Sequence, residues 1–278
     1  MKNILLPVAL FISSSVFCQY YYNDIVDAGA IGERMNNYVK QKVKTITATG
    51  YDARGAKTTD FNEWQEIDAN KRTLKITTRN SQQVARQYFS FDDQYRLISI
   101  TDSSKDIKST TVYNYDNKGN IVSVKTATND SLQDFSETVE HQYIYNATGK
   151  LEKLWRIINA KDSSEYRFTT EENGNIADEQ LYRRGVGLNP IYYYYNNKNR
   201  LTDIVRYNKK ANRLLPTEMF EYDDAGRIIQ KMTILSSNNP DYLIWRYLYN
   251  EKGLKTKEAL FNKQKELTGK IEYAYTFE

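Results

Sequence analysis

An aromatic-x-aromatic pair running into an Asp/Asn-rich turn recurs along this 278-residue chain, most clearly at Tyr113-Asn114-Tyr115-Asp116-Asn117-Lys118-Gly119 and Phe220-Glu221-Tyr222-Asp223-Asp224-Ala225-Gly226. Self-similarity of this kind means stacked supersecondary units rather than one irregular globule. Aligned on the second aromatic, the copies fall at Tyr51, Ile67, Phe91, Tyr115, Tyr145, Thr170, Tyr195, Tyr222, Tyr249 and Tyr275, with Ile67 and Thr170 degenerate. The later steps are 25, 27, 27 and 26 residues. Such an interval holds two short strands and two turns, so each unit reads as a β-hairpin plus its connection to the next.

The residue types explain the hairpin. Aromatics two apart, as in Tyr143/Tyr145 and Tyr247/Tyr249, point to the same sheet face and supply large buried area. Asp or Asn at the next position (Asp116, Asn146, Asn196, Asp223, Asn250) accepts hydrogen bonds from the turn backbone ahead of it. The turn glycines Gly55, Gly119, Gly149, Gly174, Gly226 and Gly253 supply the left-handed conformation of a type I turn with a bulge. Asn199 replaces the glycine in one copy and tolerates that conformation; Tyr95 breaks the rule, and a different turn is expected there. An aliphatic residue (Leu97, Ile121, Leu151, Ile176, Leu201, Ile228) begins each return strand. The second connections are polar and variable, and Pro190, Pro216 and Pro240 are placed in them, since proline is excluded from strand centres.

The N-terminus has Lys2, an apolar run from Ile4 to Ile12 and a small-residue stretch ending at Cys18, which reads as a secretory signal peptide over 1–18. The alternative is a lipid anchor on Cys18, against which Phe17 argues, because the residue before a lipidated cysteine is normally small. The expected location is secreted or periplasmic. Cys18 is the only cysteine, so no disulfide is available. The net charge of +4 is spread with acids and bases interleaved, which points away from nucleic acid. No second apolar stretch follows, so no membrane span is expected. Residues 19–42 lack the repeat and read as a short helix or an irregular cap; residues 43–278 form the repeat domain.

At Tyr51-Asp52-Ala53-Arg54-Gly55, Tyr115-Asp116-Asn117-Lys118-Gly119-Asn120 and Tyr222-Asp223-Asp224-Ala225-Gly226-Arg227 the chain resembles the tyrosine-aspartate (YD) repeat family, which includes Rhs proteins, insecticidal toxin-complex shells and teneurins. The resemblance implies an antiparallel β meander that coils and, in long members, closes into a shell around a cargo polypeptide. The core-plug motif and toxic domain that end long Rhs chains have no counterpart here. With about nine or ten repeats, the expected fold is therefore all-β: a hairpin meander forming an open, curved sheet. Its unpaired edge strands offer a route to an oligomer.

Catalytic chemistry finds little support. His141 is the sole histidine, two residues before Tyr143, and reads as an ordinary strand residue. Asp92-Asp93, Glu171-Glu172 and Asp223-Asp224 fall in turns, where acids are explained by backbone hydrogen bonding. No metal or cofactor is expected. In Tyr192-Tyr193-Tyr194-Tyr195 the second and fourth residues hold core positions, so Tyr192 and Tyr194 face the other side; with Trp155 and Trp64 they are the candidate ligand-binding residues, while Trp245 shares the face of Tyr247 and Tyr249. The expected function is a secreted, non-catalytic module binding a carbohydrate or protein ligand. The alternative is an accessory or containment-shell-like scaffold of a toxin or secretion system, and a glycosidase-like enzyme is more distant.

Overall fold

A computed structural model describes residues 19–80, 83–235 and 241–278. The signal-peptide reading, Cys18 and Pro240 lie outside them. Two helical segments come first, a π-helical stretch (Tyr21–Val26) running directly into α1 (Asp27–Lys40). Then follow β1 (Val43–Asp52), β2 (Lys57–Asp68), β3 (Thr73–Arg79), β4 (Val84–Phe91), β5 (Leu97–Ser103), β6 (Ile107–Tyr115), β7 (Ile121–Asp130), β8 (Phe135–Tyr145), β9 (Leu151–Ile158) and β10 (Asp162–Thr170). The remaining strands are β11 (Ile176–Arg183), β12 (Val186–Gly187), β13 (Ile191–Tyr195), β14 (Leu201–Asn208), β15 (Arg213–Tyr222), β16 (Ile228–Ile234), β17 (Tyr242–Tyr249), β18 (Lys255–Phe261) and β19 (Leu267–Phe277).

Apart from β12 and β13, each strand pairs antiparallel with its sequence neighbours, and β1 also pairs with β19 from Val43↔Phe277 to Asp52↔Gly269. The short β12 and β13 both pair with β11, at Tyr182↔Gly187 and at Asp178↔Tyr192, so together they fill one position in the wall. The result is a closed 18-strand antiparallel barrel, which corrects the expected open sheet. The reason is the register. A bulge beside each aromatic turn, as between Asn114 and Tyr115, Ile144 and Tyr145, or Glu221 and Tyr222, adds local twist and bend in the same sense at each repeat. Repeated around the sheet, that bend brings the first strand to the last. The edges on which the expected oligomer depended are bonded to each other.

The turn reading holds in detail. The Oδ1 of Asp116 accepts from the backbone N–H of Lys118 and Asn120, both at 2.8 Å, and Asn146, Asn196 and Asn250 accept from the same two relative positions. The six turn glycines have φ from 72° to 95°, and Asn199 has φ 55°. Tyr95 departs from expectation: it takes the same left-handed conformation, φ 59°, and its N–H donates to the Asp92 carbonyl as in the other turns. The Asp92 caps to Gln94 and Arg96 hold that turn without a glycine. Pro216 also departs. It lies inside β15, opposite Val205 at a register shift, where the ladder does not need its missing N–H.

Strand direction separates two rims. The turns after β4, β6, β8, β10, β13, β15 and β17 share one, here the aromatic rim, whereas the Tyr51-Asp52 copy, one strand out of phase, turns at the far rim. At the aromatic rim the second aromatic of a repeat is a latch to the repeat before it. The hydroxyls of Tyr115, Tyr145, Tyr195, Tyr222, Tyr249 and Tyr275 donate to the carbonyls of Leu97, Ile121, Ile176, Leu201, Ile228 and Lys255, at 2.6 to 3.0 Å. In the degenerate copy the Thr170 hydroxyl makes the equivalent bond to Leu151. The buried face, with Phe89, Tyr113, Tyr143, Tyr193 and Phe220, is the inner one.

Candidate functional site: the plugged lumen

The segment from residue 20 to 40 lies inside the barrel, because its contacts come from all around the wall. Tyr20 packs edge-on to Tyr166 on β10 with centroids 4.8 Å apart, and its ring also meets His141 on β8. Tyr21 meets Tyr193 on β13, and Tyr22 stacks on Phe220 of β15. Further along, Gly32 faces the Tyr95 turn, and Asn37 donates to the Gly253 carbonyl in the turn after β17. The wider π turn is what lets three consecutive tyrosines fan into three wall positions. In α1, Ala28, Gly32, Met35 and Tyr38 form the buried stripe, at the spacing of one helical face. A Cβ on Gly32 would sit 2.7 Å from the Tyr95 carbonyl oxygen, so only glycine permits that approach. Met35 is wholly buried, a burial that contributes about 1.5–3 kcal/mol.

The helix start is held by polar groups of the wall. The Glu179 carboxyl on β11 accepts from the backbone N–H of Tyr20 and Tyr21, each at 3.1 Å, and from the Tyr193 hydroxyl at 2.9 Å. Those N–H groups are the unpaired donors of a helix N-terminus, and the macrodipole there favours an acid. Glu179 is 1% exposed, and burial pushes it up to about 7. Asp24 contributes one oxygen to both the Tyr143 hydroxyl, at 2.7 Å, and His141 Nδ1, at 2.5 Å. Asp27, beside Lys231 and Glu218, is likewise pushed up to about 7 by burial. Gln19 bridges the wall, donating to Glu218 and accepting from Arg206.

A second polar group lies on the opposite wall, facing Arg34. Glu63 on β2 accepts from Gln65 and from Thr78, and burial raises its carboxyl above the usual range. Glu258 on β18 accepts from the Tyr273 hydroxyl and from Lys255. Beyond the helix, toward the far rim, the inner face of β6 and β7 carries hydroxyls: Thr111 bonds Thr126 and Ser109 bonds Thr128. The lumen is thus aromatic and occupied by the helix toward one rim, with Gly29, Ala30, Glu33 and Asn36 of that helix exposed, and it carries hydroxyls on β6 and β7 toward the other. Barrels of this strand number are wide enough to hold contents.

The four residues expected to bind a ligand all lie on the outer face, but they do not converge. Tyr192 and Tyr194 are neighbours on β13, with Tyr194 48% exposed. Trp155 on β9 stands opposite Gln142 and Glu165, three wall positions away. Trp64 on β2 lies across the barrel, with Arg79 over its ring. Tyr194 instead begins an outer row that continues through Asp203, Met219, Met232, Ile244 and Phe261, each opposite the next. Trp245 faces inward beside Leu260. Asp24, His141 and Glu179 were missed. The available signal was face: His141 is in step with Tyr143 and Tyr145, and so stands at an inner position.

The outer wall carries a charge on strand after strand: Lys75, Arg86, Lys125, Glu140, Lys153, Arg167, Asp203, Arg246 and Lys257. On the lipid face of a barrel each Lys or Arg near the bilayer midplane costs about 2–4 kcal/mol, so this wall suits water. Among the described residues no helix is long and apolar enough to cross a membrane.

No family model matches the chain, and no curated protein matches it. Among solved structures it is similar to a porin-like protein from Bacteroides uniformis, at 11% identity and a TM-score of 0.38, over 85% of this chain and 97% of that one. It is also similar to the Tc holotoxin pore of Photorhabdus luminescens, at 10% identity and 0.31, over 80% of this chain and 18% of that one. A TcdB2–TccC3 complex without its hypervariable C-terminal region is similar at 10% identity and 0.30, over 78% and 16%. Overlap at that level transfers no ligand, membrane or activity to this chain.

Proposed function

We propose that this chain is a short, exported member of the YD-repeat class, working as a non-catalytic containment scaffold: a closed wall that holds a polypeptide segment, here its own residues 20–40, in the lumen. The observation that carries the reading is the capture of the helix start, through its Tyr20 and Tyr21 N–H groups and Asp24, by Glu179, Tyr143 and His141 of a wall sealed by β1 and β19. A specific protease site inserted between Gln41 and Lys42 tests it. The cut segment is expected to co-elute with the barrel and resist a second protease. Free dissociation of the segment from an intact barrel under native conditions would overturn the reading.

A second reading, binding of a protein or carbohydrate on the outer face, is favoured by the row running from Tyr194 to Phe261. A glycan array and pull-downs with the wild type and with Tyr192→Ala/Tyr194→Ala test it. Binding that the double variant abolishes is the expected result, and unchanged binding counts against it.

A further inference from the structure

We infer that the luminal helix is a proton-dependent plug, seated while the acids at its interface with the wall carry protons and loosened when they ionise. The inference rests on the containment reading and adds a regulation to it.

The geometry concentrates acids on both sides of one interface. The helix brings Asp24 and Asp27; the wall brings Glu179 on β11 and Glu218 on β15. The donors reaching Glu179 are two backbone N–H groups and a phenol, all uncharged, with Arg206 of β14 and Tyr143 of β8 nearby. Asp27 is faced by Lys231 of β16, by Glu218, and by Asp24 and Arg34 of its own segment, while Tyr113 of β6 lies near both aspartates. Asp24 meets His141, whose register neighbours are Val124 on β7 and Arg156 on β9. Lys231 is committed to Glu218 at 2.8 Å, and Arg206 also reaches Gln19. Ionising Glu179 and Asp27 therefore adds negative charge where Glu179 is fully buried and Asp27 half-buried, and where Lys231, the wall cation beside Asp27, is already paired with Glu218.

Direction follows from linkage. Burial pushes Glu179 and Asp27 up to about 7, above their ordinary 4.5 and 3.8. A carboxyl raised in the folded state contributes stability that is complete below its unfolded value and lost as pH rises through the folded one. Acid seats the plug, and neutral to alkaline solution frees it.

Hydrogen exchange read by mass spectrometry on the full chain, at about pH 5.5, 7 and 8.5 and corrected for intrinsic rates, tests this. Protection of residues 20–38 is expected to fall roughly tenfold or more across that range, while β6 to β8 keep theirs. Asp27→Asn and, separately, Glu179→Gln are each expected to flatten the slope; Asp27 is the safer position, since it lies outside the hydrogen bonds that hold Tyr20 and Tyr21. Protection of the helix that is independent of pH, that falls in parallel with the wall, or that keeps its full slope in Asp27→Asn, overturns the inference. The cut-segment experiment is run at about pH 5.5, where the plug is seated under both readings, so release there would sink containment, whereas a plug held equally at every pH would sink only this regulation.

Discussion

At the scale of single residues, the turn glycine does two jobs that substitution can separate. Gly149 has φ 82° and open space where a Cβ would go, so Gly149→Ala meets only backbone strain, about 1 kcal/mol. Gly226 has φ 89°, and a Cβ there would lie 2.7 Å from the Arg200 guanidinium, which bonds the Asp223 carbonyl and covers the Tyr222 ring. Gly226→Ala is expected to cost about 2 kcal/mol, the excess coming from a displaced arginine. Urea unfolding of the two variants at equal m-value measures the difference, and equal losses would remove Arg200 from the account. Tyr222→Phe deletes the 2.6 Å latch to Leu201 while leaving the ring, and a loss of about 1 kcal/mol is expected by the same measurement.

At the scale of the element, the hairpin was legible in sequence because everything that makes it is local. Asp116, its two backbone partners and Gly119 fall within four residues, so the pattern of residue types contains the whole turn. That chemistry also predicts an acid response. Asp116 accepts hydrogen bonds that hold its carboxyl below the ordinary 3.8, as do Asp52 and Asp92, so their contribution is complete above about pH 4 and is lost as pH falls further. The Asn turns carry no such dependence. Asp116→Asn is expected to leave neutral stability nearly unchanged and to reduce the acid slope, measured as the denaturation midpoint between about pH 5 and 2; an unaltered slope would place the acid sensitivity elsewhere. Tyr95 was misjudged because its turn is stabilised by what surrounds it, namely Asp92 caps on one side and Gly32 of the helix on the other. The luminal site was illegible for a similar reason. His141 and Asp24 are separated by 117 residues, and nothing near either one names the other.

At the scale of the whole molecule, closure rests on one ladder between the ends of the repeat domain, reinforced where the Thr45 and Thr276 hydroxyls meet at 2.6 Å. Removing residues 268–278 leaves β1 and β18 as long free edges, and the truncated chain is expected to dimerise or aggregate. Size-exclusion chromatography with light scattering checks this, and a stable monomer would mean that the wall does not need its seam. The seam pairs residues 231 positions apart, as Thr45 and Thr276 are, so it is the contact with the largest loop to close. During synthesis the helix leaves the ribosome before any strand, and the seam forms after all of them. The wall therefore winds around a mandrel that precedes it along the chain, and the innermost part of the barrel is made before the strands that enclose it.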